Sequence, residues 1–535
     1  MPASASPDSP TPAPSVPASL APLLHPTFRM LWSAWFAANL CMWMNDVAAA
    51  WMMTSLTRDP IWIALVQTAS TLPVFLLGLP SGALADNVDR RRYFILTQFW
   101  VAAVAVATCL AVLSGGMTAP LLLLLTFTNG IGLAMRWPVF AAIVPELVTR
   151  AQLPAALALN GVAMNASRIA GPLIAGAIIA SLGTVYVFVL NALLSVATGF
   201  VIMRWRREHV PNPLGREPLR SAIRVGVQFV LQSARVKAVL ARIAVFFFHS
   251  TAVLALLPLV ARNLNGDAAT FTLLLASMGS GAIVAVLFLP RLRQAMTRDT
   301  LVRNGALLHA AMTLTVALSG HLVLSMAAML LSGVAWITTA NSLSVSIQLA
   351  LPDWVRARGM AIYQMALMGA SALGAAAWGQ WASIDSVQNS LIIAAMSGAI
   401  AMPVVLRLVR DPGQVENLAP GVPFSVPVAE RTPEQGRIVI AITYRIDPAR
   451  ADAFLAVMQE SRRSRLAQGA LRWELLQDLN TPGEYVEQIV DVSWTEHLRR
   501  VQRITQADVA LRERKFAFHI GEEPPRLTRR LVLAP

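Results

Sequence analysis

Residues 82–92 read GALADNVDRRR, placing two acids and three arginines within seven residues of a chain that is otherwise apolar here. Residues 60–81 before this stretch and 93–114 after it hold no Asp, Glu, Lys or Arg. A charged turn between two apolar segments of about 20 residues is the pattern of two membrane-crossing helices joined at a water-facing surface. The rest of the chain decides whether that reading holds.

Of 535 residues, 56% are hydrophobic and 13% are charged, against roughly 25% charged in ordinary soluble domains. This composition excludes a purely soluble enzyme and points to a polytopic membrane protein. Hydrophobic runs fall at about 29–55, 59–85, 93–114, 118–147, 154–182, 184–204, 239–263, 268–291, 299–319, 322–349, 356–382 and 386–410, giving twelve expected spans. The connections after the even-numbered spans hold Arg90, Arg91, Arg92, Arg150, Arg204, Arg206, Arg207, Arg216, Arg220, Arg224, Arg291, Arg293, Arg298, Arg356 and Arg358, whereas the alternate ones hold little beyond Arg58 and Arg262. The positive-inside rule makes the arginine-rich side cytoplasmic, together with both termini. The net charge of +14 then reports topology and calls for no nucleic-acid partner. The expected partner is the lipid bilayer.

The expected organisation is a disordered N-terminal segment over 1–26 with no signal peptide, a six-helix half over 27–206, a cytoplasmic central loop over 207–238, and a second six-helix half over 239–410. PELVTRAQL at Pro145 resembles PDWVRARGM at Pro352, a separation suited to a duplicated six-helix unit. A Pro-rich linker over 411–436 leads to a soluble domain over 437–535. There RIVIAITYRI, LRWELLQDL and EYVEQIVDV alternate as strands, 448–467 and 494–516 read as helices, the latter with a capping box at Ser493 and Glu496, and KFAFHI reads as a weak last strand. The expected class is therefore an all-α polytopic membrane protein with a C-terminal α+β, ferredoxin-like domain. Cys41 and Cys109 lie in apolar runs and read as packing residues. No metal-ligand cluster and no nucleotide loop occur, so no cofactor is expected.

The opening stretch resembles the Gly-x-x-x-Asp-Arg-x-Gly-Arg-Arg signature of the major facilitator superfamily, filled here by Gly82, Asp86, Asp89, Arg90 and Arg91, with Asn87 replacing the first arginine and Asp89 the glycine. The resemblance implies a charged latch that gates one face. GVAMNASRIAGPLIAGAI resembles the superfamily's antiporter motif through Gly161, Gly171, Pro172 and Gly176; tight helix packing accounts for the same residues. With 44–92, 145–172 and 492–508, the chain resembles the enterobactin-exporter-like, transmembrane secretion effector branch. That resemblance implies a multi-pass secondary transporter of the plasma (cell inner) membrane, a proton-coupled exporter of a small amphipathic molecule such as a siderophore or drug. It also implies a central cavity lined by the first, fourth, seventh and tenth spans.

Charges inside a bilayer cost roughly 2.5–3.5 kcal/mol on insertion scales and so mark functional candidates. Asp46 is the candidate proton-coupling carboxylate; Arg136 and Arg168 are candidates for attracting an anionic or catechol-like substrate; Asn45, His249, Asn341, Tyr363 and Gln364 are further polar candidates. A static Asp46–Arg136 ion pair is the alternative. The tail resembles dimeric α+β barrels that include monooxygenase-like proteins, which implies a homodimer contact. It leaves open a membrane-tethered sensor or enzyme with Trp473, Trp494 and His497 around a pocket. The absence of a paired nucleophile and base favours a non-enzyme.

Overall fold

Polar residues set the starts of the helices: Asp59, Asp89, Thr118, Ser233, Asp267, Thr297 and Ser386 each accept a backbone N–H of the helix that follows. Prolines occupy the first turns of several others. Glycines at positive φ, Gly115 (70°) and Gly183 (105°), lie in the turns that follow α3 and α5. The computed structural model describes residues 20–149, 152–205, 218–264, 266–411, 416–422 and 436–533.

The helices are α1 (Pro26–Leu56), α2 (Pro60–Asn87), α3 (Arg90–Leu113), α4 (Ala119–Leu147), α5 (Leu153–Ser181), α6 (Thr184–Met203), α7 (Leu219–Gln232), α8 (Ala234–Asn263), α9 (Ala268–Ala295), α10 (Arg298–Leu318), α11 (Leu322–Leu349), α12 (Arg356–Ile384) and α13 (Val387–Leu408). Eleven helices among the described residues are long and apolar enough to cross a membrane. The 31-residue α1 is not one of them, because Asn39, Asn45, Asp46 and the tryptophans Trp32, Trp35, Trp43 and Trp51 dilute its apolar run.

One set of pairings occurs twice. Helix α1 packs on α5 and α6, α2 on α4, and α3 on α4 and α6; α8 packs on α12 and α13, α9 on α11, and α10 on α11 and α13. Two seams join the units, α2 against α12 and α5 against α9. Small residues make them close: a Cβ on Gly379 would lie 2.4 Å from Ala64 Cβ, and one on Gly176 would lie 2.4 Å from Thr272 Cγ2. Thr68 adds a hydrogen bond to the Ala372 carbonyl, 2.9 Å. One core crosses both units at the arginine-poor end, where Met53, Ile63, Leu257 and Trp378 meet. At the arginine-rich end the cores are separate: Phe28, Phe94 and Phe140 in one unit, Phe246, Ile347 and Val355 in the other.

Several expectations are corrected. Residues 219–232, expected in the central loop, form α7. Its buried Ala222, Val225, Phe229 and Val230 pack it onto α2, α8, α12 and the tail. A 14-residue amphipathic segment is too short to span and too charged to stand out in a membrane chain, so it reads as loop. In the expected N-terminal coil, Ala21–Leu24 form a 3-10 turn, and residues 1–19 lie outside the described residues. In the linker, residues 417–421 are pinned by backbone bonds from Ala507 to Asn417, from Gln506 to Ala419 and from Gly421 to Ile504, while 412–415 and 423–435 lie outside the described residues.

The tail comprises β1 (Ile438–Arg445), α14 (Ala451–Ala467), β2 (Arg472–Gln477), β3 (Glu484–Asp491), α15 (Trp494–Gln502), α16 (Gln506–Phe516) and β4 (Arg526–Leu531). The four strands form one antiparallel sheet in the order β2-β3-β1-β4. Ile438, Ile440, Ile442 and Tyr444 pack with Phe454, Met458 and Trp494 on one face. The helix expected over 494–516 is two helices, and the capping box is Thr505 with Asp508. Ser493 does accept the Glu496 N–H, but the Glu496 carboxylate is drawn to Arg499 and Arg503 instead of reaching back. The last strand is at 526–531, not at KFAFHI: Phe516 and Phe518 turn inward onto Tyr444 and Phe454, and the charged RLTRRL serves as an edge strand.

Helices α9 and α11 touch backbone to backbone: a Cβ on Gly333 would lie 2.0 Å from the Met278 carbonyl oxygen. Gly333→Val is therefore expected to lower thermal stability by at least the ~1–3 kcal/mol typical of overpacking, measured by thermal unfolding in detergent. Gly161→Ala, whose Cβ meets nothing within 4 Å, is expected to leave the transition unchanged or raise it.

Candidate functional site

Asp46 lies on α1 one turn beyond Trp43, so both side chains share a helix face. They border a cavity of about 150 Å³ walled by α1, α2, α5, α8, α9 and α11, and so by both six-helix units. Its polar lining is Asp46, Gln67 and Arg168; Trp43, Phe271, Met278 and Trp336 supply most of the apolar wall. Asp46 accepts a hydrogen bond from Ser70, 2.9 Å. Arg168 lies against two indoles, its guanidinium carbon 5.4 Å from the Trp43 ring centre and 4.9 Å from that of Trp336. Its Nε is buried without a hydrogen-bond partner among the described residues.

The antiporter-like motif shapes this wall. A Cβ on Gly171 would lie 2.5 Å from Trp43 Cβ, so the glycine is what lets α1 bring Trp43 against α5. Pro172 borders the cavity, and Gly176 sits on the seam with α9. Gly161 is not at either contact.

Arg136 is elsewhere. It is buried inside the first unit, over the Trp35 ring at 5.4 Å, and donates to Gln98 Oε1 at 3.1 Å and to the Ala38 carbonyl at 3.4 Å. No Asp46–Arg136 ion pair forms among the described residues, which removes the static-pair alternative. Asn45 accepts from Asn191 Nδ2 at 3.1 Å and faces a separate small cavity within the first unit. His249 donates through Nδ1 to the Val245 carbonyl, 2.7 Å, and borders a small cavity of the second unit with His309. Asn341 accepts from Arg293 at the arginine-rich end. Gln364 borders none of the three cavities described. Residue type and span number identified polar side chains but not the direction in which each points. Gln67, Ser70, Trp43 and Trp336 were missed because hydroxyl, amide and indole groups in apolar helices read as packing; the i, i+3 spacing of Trp43 and Asp46 was the available signal.

In the charged turn, Asp89 caps α3 by accepting from Arg92 N, 2.9 Å. Arg91 donates to the Trp205 and Met203 carbonyls at the end of α6, where the helix dipole favours a cation. Arg90 begins α3. The side chains of Gly82 and Asp86 lie outside the described residues.

The tail residues considered for a pocket are engaged in packing. Trp473 donates to Glu487 Oε1, 2.9 Å. Glu487 is fully buried and also receives Ser461, Tyr444 and Lys515, at 2.6, 3.1 and 3.0 Å. Burial raises its carboxyl, but Lys515, Arg465 and these donors outweigh that and hold it well below the usual range. Burial lowers the Lys515 ammonium to about 8 against the pull of Glu487. His497 lies 5.5 Å from Trp494, ring centre to ring centre, and hydrogen-bonds Asp491 at 2.8 Å, while Arg500 holds the same carboxylate with two nitrogens. No group of three or more metal-ligating side chains occurs among the described residues.

Twelve long helices among the described residues, in a twice-repeated packing pattern with a cavity between the units, define a polytopic membrane protein of the major facilitator type. The model of the transmembrane secretion effector family matches residues 17–534, C-terminal tail included, and the chain belongs to that family. A staphyloferrin A transporter of Staphylococcus aureus is 27% identical over 158 residues, covering 28% of this chain and 38% of that protein. The enterobactin exporter EntS of Shigella boydii is 24% identical over 263 residues, covering 49% of this chain and 63% of that one. The chain thus spans less than two thirds of the length of either relative. The solved structure of the nucleoside transporter NupG superposes with a TM-score of 0.59 at 12% identity over 72% of this chain and all of that one, a likeness of fold.

Asp491 provides a pH test of the tail. Burial raises its carboxyl, but Arg500 and His497 outweigh that and depress it to about 2. Because the folded value lies below the ordinary ~3.9, the stabilisation is complete above about pH 4 and is lost as pH falls towards 2. The tail is expected to lose about 2 kcal/mol of stability over that range from this group, read by amide hydrogen exchange of the whole chain. Asp491→Asn is expected to be less stable at neutral pH and to respond less to acid.

Proposed function

We propose that the chain is a secondary active transporter, a proton-coupled exporter of a small amphipathic molecule of the siderophore or drug class, working by alternating access. The observation that carries this reading is one cavity, walled by both six-helix units, that holds an acid and a guanidinium not paired with each other. Asp46 is the proton-coupling carboxylate and Arg168 the substrate contact. Arg136, Asn45, His249, Asn341 and Gln364 belong to the supporting structure. The continuous core at the arginine-poor end and the divided cores at the arginine-rich end suit a state open to one side, and rocking about the two seams would open the other. The names of the two relatives favour a siderophore among amphipathic cargoes.

In the same reading α1 is the twelfth span. The arginine-rich connections and both termini face the cytoplasm, and the membrane is the plasma (cell inner) membrane. The Asp89-Arg90-Arg91 turn is the gating latch of this reading, and Arg91 anchors it within the first unit on the carbonyls at the end of α6. The tail is a ferredoxin-like cytoplasmic domain, supported by its strand order. Its outer sheet face, bearing Val439, Ala441, Val486 and Val490, suits a homodimer contact.

The test is cargo-induced proton movement in proteoliposomes, screening siderophores and amphipathic drugs with wild type and Asp46→Asn. Wild type is expected to move protons with a cargo, and Asp46→Asn to reduce that flux to background while remaining folded. Unchanged, pH-dependent transport by Asp46→Asn would remove the coupling role.

A further inference from the structure

Arg168 is set apart from the other buried arginines. Arg136 donates to Gln98 and a carbonyl, and Arg242 forms a two-point pair with Asp299 at 2.7 and 3.1 Å. Arg168 has neither a carboxylate nor a carbonyl partner among the described residues; its Nε is without a partner, as are those of Arg136 and Arg242. What it has is two indole neighbours, Trp43 and Trp336. Cation–π contact stabilises the charge through the faces of the guanidinium, but it leaves the N–H groups, which lie in the guanidinium plane, unused. An arginine needed only to hold helices together would spend its terminal donors on the protein, as Arg136 does on Gln98 and a carbonyl and Arg242 does on Asp299, although each of these also leaves its Nε unpaired.

A guanidinium on a cavity wall with no hydrogen bond to the described residues has N–H donors to offer a ligand. The matching group is a planar oxyanion with two oxygens on one carbon, which takes two parallel N–H bonds. The surrounding wall is apolar and aromatic, with Trp51 stacked on Phe271 at 5.4 Å beside it. A cavity of about 150 Å³ with an apolar lining is large enough for a benzene ring. The two indoles come from different units, Trp43 from α1 and Trp336 from α11.

The geometry points to an anion clamp: Arg168, gripped by Trp43 and Trp336, binds the carboxylate of an aryl carboxylate, whether that is a whole small cargo or one arm of a larger one. This rests on the transporter reading and names the chemical class of its cargo. Because the clamp draws one indole from each unit, a bound carboxylate ties both units to one ligand.

The test uses the purified full-length chain in detergent and equilibrium dialysis of radiolabelled benzoate, with benzamide as the uncharged competitor of the same shape. Benzoate is expected to bind the wild type more tightly than benzamide does. Arg168→Gln should weaken benzoate at least about tenfold, the loss expected for a charge-assisted hydrogen bond, and leave benzamide unchanged. Arg168→Lys, which keeps the charge without the planar fork, should recover only part of the preference, and Trp336→Leu should lower it. Equal binding of the two probes by wild type, no benzoate binding, or a preference that survives Arg168→Gln would overturn the clamp. Cargo-driven proton flux by wild type decides the transporter reading separately. Flux without carboxylate preference removes the clamp alone, and carboxylate preference without flux under any cargo removes the transporter reading alone.

Discussion

Inside a bilayer an apolar side chain gains little by exchanging lipid for a neighbouring helix, so association depends on how closely two backbones fit. The α2–α12 and α5–α9 seams meet that requirement with Gly379 and Gly176, and α9–α11 with Gly333. Helix α5 links these contacts to the cavity. Gly171 admits Trp43, Arg168 and Pro172 face the open space, and Gly176 rests on Thr272 of the other unit. The cavity lies between two units joined along the α2–α12 and α5–α9 seams and by the shared core at the arginine-poor end.

The charges obey a second constraint. An arginine in hydrocarbon must be hydrated, paired or stacked, and each buried guanidinium here meets the demand differently. Arg242 is neutralised by Asp299 near the arginine-rich end, and Arg136 relies on Gln98, a carbonyl and Trp35 within one unit. Arg168 relies on aromatic faces and the cavity. The first two engage both terminal nitrogens within the protein and leave only Nε unpaired. Only the third leaves strong donors beside open space, on the wall that also carries Asp46.

The run of long apolar helices follows from hydrophobic length, so these helices were legible wherever an apolar run lay between charged turns. Helix α1 was legible by length although its tryptophans weaken its hydropathy. The motif at Gly171, Pro172 and Gly176 pointed to a place where helices meet. The arrangement of Asp46 and Arg168 was only half legible: both were identified as expensive charges, but Arg136, one of the same class, turned inward to Gln98. Sequence reports the cost of a charge, whereas its partner is set by helix rotation, a tertiary property. The tail failed at its ends for a related reason. KFAFHI has the alternation of a strand, but its phenylalanines fill the core from a helix terminus, and the real edge strand tolerates arginines because one of its faces is uncovered.

The connection between the two units is also where the tail attaches. On α7, Arg224 donates to the Gly469 carbonyl at 3.1 Å and Gln228 to that of Ala470 at 3.3 Å. Gly469 takes φ 109° in that turn, a conformation open to glycine, and its α-carbon lies against Val225. Arg503 of the tail sits over Trp354, 5.3 Å from the ring centre, in the turn between α11 and α12. The same α7 touches α2 of the first unit and α8 and α12 of the second. The tail, fastened at these points, is held through α7 against both units and through Arg503 against the second. Motion of α2 against α12 must therefore slide α7 over α2 or strain its grip on the tail, so the free energy of tail docking and that of unit movement are linked terms of one equilibrium.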